Sequence, residues 1–159
     1  MHRLLRLALP LVVLLAAAGC GFQLQGSTVL PPVLVSLRVQ TADAQTDFAQ
    51  ALERELRRAG VAAADGGAVL RIERDELLER VASVSARNVP REYELTYVVR
   101  YSLLLAGQTR IDAEEVSVSR DFSFDETAAL AKDRERELLR EALARELAGV
   151  VLVRLSSVR

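Results

Sequence analysis

The sequence predicts an α+β fold: a two-layer sandwich, with two helices packed on one face of a mainly antiparallel four-stranded sheet. Two observations carry most of this. Long stretches around residues 93–105 and 110–124 alternate apolar and polar residues with the period of two that a half-buried strand requires. Stretches around residues 46–59 and 125–151 instead repeat apolar residues every three to four positions, the period of an amphipathic helix. The order along the chain is strand, helix, three strands, helix, which gathers the helices against one side of the sheet.

The first element is a strand over Val33–Thr41, where Val35, Leu37 and Val39 alternate with Ser36, Arg38 and Gln40. Asp43 and Thr46 offer caps to a helix running to about Ala59, in which Phe48, Leu52 and Leu56 recur every four residues and Glu53 can meet Arg57. Gly60 marks its end. Asp65-Gly66-Gly67 is a turn, after which Leu70 and Ile72 open a second strand. Its pattern blurs from Arg74 to Arg80, where a bulged long strand and a short helical turn both fit, and alternation returns over Val81–Ser85. Residues 86–91, with Asn88 and Pro90, read as a loop.

The third strand places Tyr93, Leu95, Tyr97, Val99, Tyr101, Leu103 and Leu105 on one face. A tight connection around Gly107 leads into a fourth strand over Arg110–Phe124, with Val116, Val118, Phe122 and Phe124 facing one way, so that the two form an antiparallel hairpin. Asp125 caps the final helix. Its stripe is Leu139, Leu143, Leu147 and Val150, flanked by Leu138, Ala142 and Val151, and Lys132–Glu137 reads as a solvated charge run.

The N-terminal residues read as an export signal. Arg3 and Arg6 precede an apolar run over Leu7–Ala18 that is too short for a bilayer core of about 30 Å, and small residues follow. Residues 1–19 are therefore expected to be removed. Ala17-Ala18-Gly19-Cys20 resembles the lipobox of bacterial lipoproteins, departing from it at Ala17, where Leu is usual. The resemblance implies lipid on Cys20, with Gly21 directing the protein to the outer membrane. Residues 20–32 would then be a lipidated N-terminus and tether, and residues 33–159 a single domain. The tether contains Gly21, Gly26, Pro31 and Pro32.

Cys20 is the chain's one cysteine and His2 its one histidine. Once the signal is gone and Cys20 is acylated, neither imidazole nor free thiol remains, which removes histidine-based triads, zinc sites and disulfides. Glu114 and Glu115 are adjacent in a predicted strand and point to opposite faces, so they do not converge as an acid–base pair. Neither Gly66-Gly67 nor any other stretch makes a phosphate loop. The expectation is a protein that is not an enzyme and needs no cofactor or metal. A formal net charge of −1 argues against nucleic acid as partner. Tyr93, Tyr97 and Tyr101 read as core before they read as an exposed recognition stripe. Arg87 and Arg91, flanking Asn88-Val89-Pro90, and Lys132, the sole lysine, are either ordinary surface charges or contacts for anionic groups.

Taken together, Cys20-Gly21-Phe22-Gln23-Leu24-Gln25-Gly26 after the lipobox, Glu92-Tyr93 opening the central hairpin, and Ala129-Leu130-Ala131-Lys132-Asp133 in the last helix resemble the LPS-assembly lipoprotein LptE family. Gln25 departs from the arginine common there, and the polar tail of some members does not follow Arg159. The resemblance implies a two-helix, four-stranded sandwich. It also implies an outer-membrane, lipid-anchored protein on the periplasmic side, seated as a plug in the lumen of the β-barrel LptD, assisting its assembly and binding lipopolysaccharide. The family's basic residues for lipopolysaccharide match Arg87 and Lys132. Two other readings share parts of this pattern: an auxiliary lipoprotein of an ABC-type envelope transporter, and a lipid-anchored hydrolase using carboxylates.

Overall fold

A computed structural model describes residues 28–63, 67–124 and 129–158. The expected signal, Cys20, the first part of the tether, the Asp65-Gly66 part of the turn and the Asp125 cap lie outside them. The elements are a short 3-10 turn at Pro32–Leu34, β1 (Leu37–Gln40), α1 (Asp47–Arg58), β2 (Ala68–Val84), β3 (Pro90–Leu105), β4 (Gln108–Ser123) and α2 (Ala129–Ser156). The sheet has the order β1-β2-β3-β4. It is mixed, because β1 runs parallel to β2, while β2–β3 and β3–β4 are antiparallel. Both helices lie on one face, as the sequence predicts.

The first strand is shorter than its alternation suggests. Pro31 and Pro32 fix φ near −65°, and Pro32 occupies the first position of the 3-10 turn, where its missing N–H costs nothing. The turn shifts the pattern, so that Leu34 is wholly buried while Val35, expected in the core, is half exposed. Helix α1 follows its sequence signals closely. Thr46 is the N-cap, its Oγ1 accepting the Ala49 N–H at 3.1 Å, while Asp43 forms a turn onto the Gln45 N–H at 2.7 Å. Gly60, at φ 77°, ends the helix: its N–H bonds to the Arg57 carbonyl and that of Val61 to the Leu56 carbonyl. Phe48, Ala51, Leu52 and Leu56 are buried.

The stretch where alternation blurs is strand throughout, and the cause is a change of parity. Ile72 pairs with Tyr101 and Arg74 with Arg100, leaving Glu73 as an extra residue. Such a bulge moves each later side chain of the strand to the other face. Before it, Ala68, Leu70 and Ile72 face the helices; after it, Asp75, Leu77, Glu79 and Val81 do, each opposite an odd-numbered residue of β3. A second bulge, at Asp112–Ala113, does the same in β4, with Ala113 at φ 45°. Glu114 then lies toward α2, 3.5 Å from Arg154, and Glu115 toward the outer face, 3.0 Å from Arg100. The two carboxylates diverge, as adjacent strand positions require.

Along β3 the expected face is the core: Leu95, Tyr97, Val99, Tyr101 and Leu103 are all buried. In α2 the buried rows are Leu143-Leu147-Val151-Leu155 and Ala144-Ala148-Leu152, rotated from the expected stripe, with Val150 half-buried and Leu138 half exposed. The alanines let the helix backbone approach its neighbours, which sequence periodicity alone does not reveal. The charge run at the start of α2 also reaches other elements, with Arg136 Nη1 3.2 Å from Glu79 and, beyond the run, Arg140 Nε 2.8 Å from Asp47.

One polar network ties α1 to the sheet. Asp75 accepts from the Thr46 hydroxyl at 2.5 Å and from the Tyr97 hydroxyl at 2.8 Å, and Tyr97 in turn accepts the Phe48 N–H at 3.3 Å. Burial, and then the bond to Asp75, push the Tyr97 phenol well above its ordinary range, so it remains a donor. Removing the carboxylate strands two part-buried hydroxyls. Asp75→Ala is therefore expected to cost about 1–3 kcal/mol in urea unfolding, and Asp75→Asn, which keeps one acceptor, less. At the other end of β3, Ala106 (φ 49°) and Gly107 (φ 80°) form a two-residue hairpin turn with both central residues left-handed. Asn tolerates that conformation better than Ala, so Ala106→Asn should raise stability by about 0.5–1 kcal/mol in the same assay.

Candidate functional site

The residues singled out by sequence, Arg87 and Lys132, come to the same end of the sheet, the end opposite β1. Arg87 is exposed in the Ser85–Val89 connection between β2 and β3, not in a loop reaching to Arg91: Pro90 and Arg91 already belong to β3. The connection is held internally. Ser85 N–H donates to the Val89 carbonyl at 2.8 Å, Asn88 N–H to the Ser85 carbonyl at 2.9 Å, and Val89 N–H to Ser85 Oγ at 3.1 Å. Asn88 takes φ 60°, a conformation Asn adopts more readily than most residues. Arg87 is thus carried on an ordered tip.

Lys132 sits in the first described turns of α2, its side chain 19% exposed, and its ammonium donates to Glu135 Oε2 at 2.7 Å and Ser123 Oγ at 3.2 Å. Beside it Tyr93 stacks on Phe122, with ring centroids 5.5 Å apart, and meets Phe124 edge-on at 5.8 Å. These three rings, with Glu79, Lys132, Asp133 and Arg136, enclose a hollow of about 70 Å³. Of the three tyrosines, Tyr97 and Tyr101 are core and Tyr93 is half-buried in this cluster, so the core reading holds.

Next to it, across Ser123 and Phe124, is a wider hollow of about 430 Å³ bordered by Ser83, Ser85, Ala86, Arg91, Glu92 and Phe124. Arg91 and Lys132 therefore flank the same two residues at the end of β4. In the sequence Arg91 is a loop-flanking charge that could meet an anionic group, and nothing there places the aromatic trio beside Lys132. Phe122 and Phe124 at strand spacing were the available signal. Apolar side chains also stand free at this end, Val84 at 52% and Leu130 at 85% exposure. A larger groove of about 740 Å³, between β1 and α1, is mostly apolar, with Arg38, Glu53 and Arg57 among its lining residues.

These features define a class: a small two-layer α+β domain that gathers cations and exposed apolar groups at one end. Comparison with known proteins narrows this. The LptE lipopolysaccharide-assembly family profile matches residues 34–155. The LPS-assembly lipoprotein LptE of Yersinia enterocolitica is 34% identical over 158 residues, covering 96% of this chain and 75% of that one, and the Yersinia pestis LptE is equally similar. Among solved structures, rare lipoprotein B from Shewanella oneidensis superposes with a TM-score of 0.69 at 28% identity, covering 77% of this chain and 94% of the other. Lipoprotein B from Nitrosomonas europaea gives 0.70 at 27% identity, covering 86% and 91%. The chain belongs to the LptE lipopolysaccharide-assembly family.

The Lys132 side chain is largely covered, but its partner Glu135 is 45% exposed, and such half-exposed ion pairs contribute little, so Lys132→Ala should change stability by less than about 1 kcal/mol. Tyr93→Ala, which removes the centre of the ring cluster, should cost about 3 kcal/mol. Thermal unfolding of both variants checks this, and the contrast shows whether the ring cluster carries stability that Lys132 does not.

Proposed function

We propose that the chain is an outer-membrane lipoprotein, anchored through Cys20, that plugs the lumen of the LptD β-barrel and helps assemble it. In this reading it binds lipopolysaccharide through Arg87 and Lys132 as that lipid passes to the outer leaflet. The observation that carries the reading is the gathering of Arg87, Arg91 and Lys132 at one end of a rigid sheet, beside exposed apolar side chains. Family membership supplies the context in which that end meets lipid A.

The chemistry follows from the partner's charge. Lipid A carries phosphates on an apolar body. Arginine offers a planar fork and lysine a point charge, and a charge-assisted hydrogen bond to phosphate contributes about 1.5–3 kcal/mol where it is shielded from water. Ser123 holds Lys132 within reach without neutralising it, although Glu135 competes for the ammonium. No helix among the described residues is long and apolar enough to cross a membrane. Two or more acyl chains on the N-terminal cysteine give stable attachment.

The test is a mild-detergent pull-down of the tagged full chain from outer membranes. Co-purification of an LptD-type barrel in near-equal amount is expected, and recovery of inner-membrane transporter subunits instead would overturn the reading. Cys20→Ala should move the protein out of the membrane fraction. The Arg87→Ala/Lys132→Ala double variant should retain the barrel but bind lipopolysaccharide at least tenfold more weakly.

A further inference from the structure

The sheet is irregular where it meets the wider hollow, and the irregularity concerns one residue. Val81 pairs with Tyr93, Ser83 with Glu92, and Val84 with Pro90. Ala82 is therefore extra on β2 and Arg91 extra on β3. A residue left out by a bulge has no partner on that neighbouring strand, here β2, and bulges commonly serve to re-aim a side chain. The Arg91 backbone is not loose: its carbonyl accepts the Phe124 N–H at 2.8 Å, which fixes it against the end of β4. Its guanidinium forms no ion pair among the described residues, although Glu92 is adjacent in sequence.

The hydroxyls around the hollow show the same bias toward donation. Ser85 Oγ accepts the Val89 N–H, and Ser123 Oγ accepts from Lys132, so each keeps its own O–H proton to give. Among the described residues the lining holds one carboxylate, Glu92, which accepts the Ser83 hydroxyl at 2.7 Å. A guanidinium and two hydroxyl protons thus border a space of about 430 Å³. A tetrahedral oxyanion is the chemistry that such a donor set satisfies.

We propose that the hollow bordered by Arg91, Ser85 and Ser123 is a phosphate-ester subsite, with Arg91 as its principal cation. This rests on the lipopolysaccharide reading above and deepens it: Arg91 and Lys132 grip from the two sides of Ser123-Phe124, and Arg87 lies at the rim.

The experiment measures binding of the detergent-solubilised full chain to lipopolysaccharide and to the same lipopolysaccharide after phosphatase treatment, for wild type, R91A, R91K, R87A and K132A. R91A is expected to bind the phosphorylated form about tenfold more weakly and the dephosphorylated form as wild type does. R91K, which keeps the charge but not the fork, should fall between. If R91A matches wild type on both ligands while R87A and K132A are weakened, the subsite is wrong and the lipopolysaccharide reading survives. If all four variants bind as wild type, that reading fails as well. Inorganic phosphate as competitor separates two sources of the ligand. Displacement of lipopolysaccharide at millimolar phosphate, absent in R91A, supports a site for phosphate itself. Resistance to phosphate together with the R91A loss supports one that needs the lipid headgroup.

Discussion

The domain depends on one face of β3. That strand is bonded on both sides along most of its length, and its odd-numbered residues from Leu95 to Leu103 form the surface on which both helices settle. Five wholly or nearly buried side chains in alternation leave no freedom of register, since a slip of one residue would turn Tyr97, Val99 and Tyr101 outward. The neighbours adapt to β3 rather than the reverse. Each of β2 and β4 carries a bulge that brings its own side chains back into phase with it, at Glu73 and at Asp112–Ala113.

Those bulges explain what was legible in the sequence and what was not. The face of β3 could be read because nothing interrupts its alternation. Thr46, Gly60 and the Phe48-Leu52-Leu56 row could be read because capping and helical spacing are local properties. The Arg74–Arg80 stretch could not, because a parity change looks the same as the loss of a pattern until the partner strand is known. Val35 was misplaced for a related reason: the 3-10 turn at Pro32–Leu34 changes the phase of a strand that begins only at Leu37. The stripe of α2 was set by small residues, Ala144 and Ala148, whose value lies in closeness to a neighbour and not in hydrophobicity.

The candidate site was legible as residue types and not as a place. Arg87 and Lys132 lie far apart in sequence, and only the antiparallel return of β3 and β4 brings the Ser85–Val89 connection, the end of β4 and the start of α2 together. Arg91 was visible as a charge, but its release from the ladder depends on two successive bulges that no local pattern announces. The aromatic trio acts differently from the cations: Tyr93, Phe122 and Phe124 pack the end of the sheet and so hold the surface on which Lys132 stands.

The shortness of β1 has a consequence for reach. It pairs only with the first residues of β2, Ala68 to Arg71, whereas the cations stand beyond Val84. At about 3.3 Å per residue the two ends are about 40 Å apart. The chain enters the sheet at the β1 end, so the first described residues lie at one pole of an elongated body and the cations at the other. That separation exceeds the roughly 30 Å hydrocarbon thickness of a bilayer. The long strands thus fix how far apart the two ends of the sheet stand.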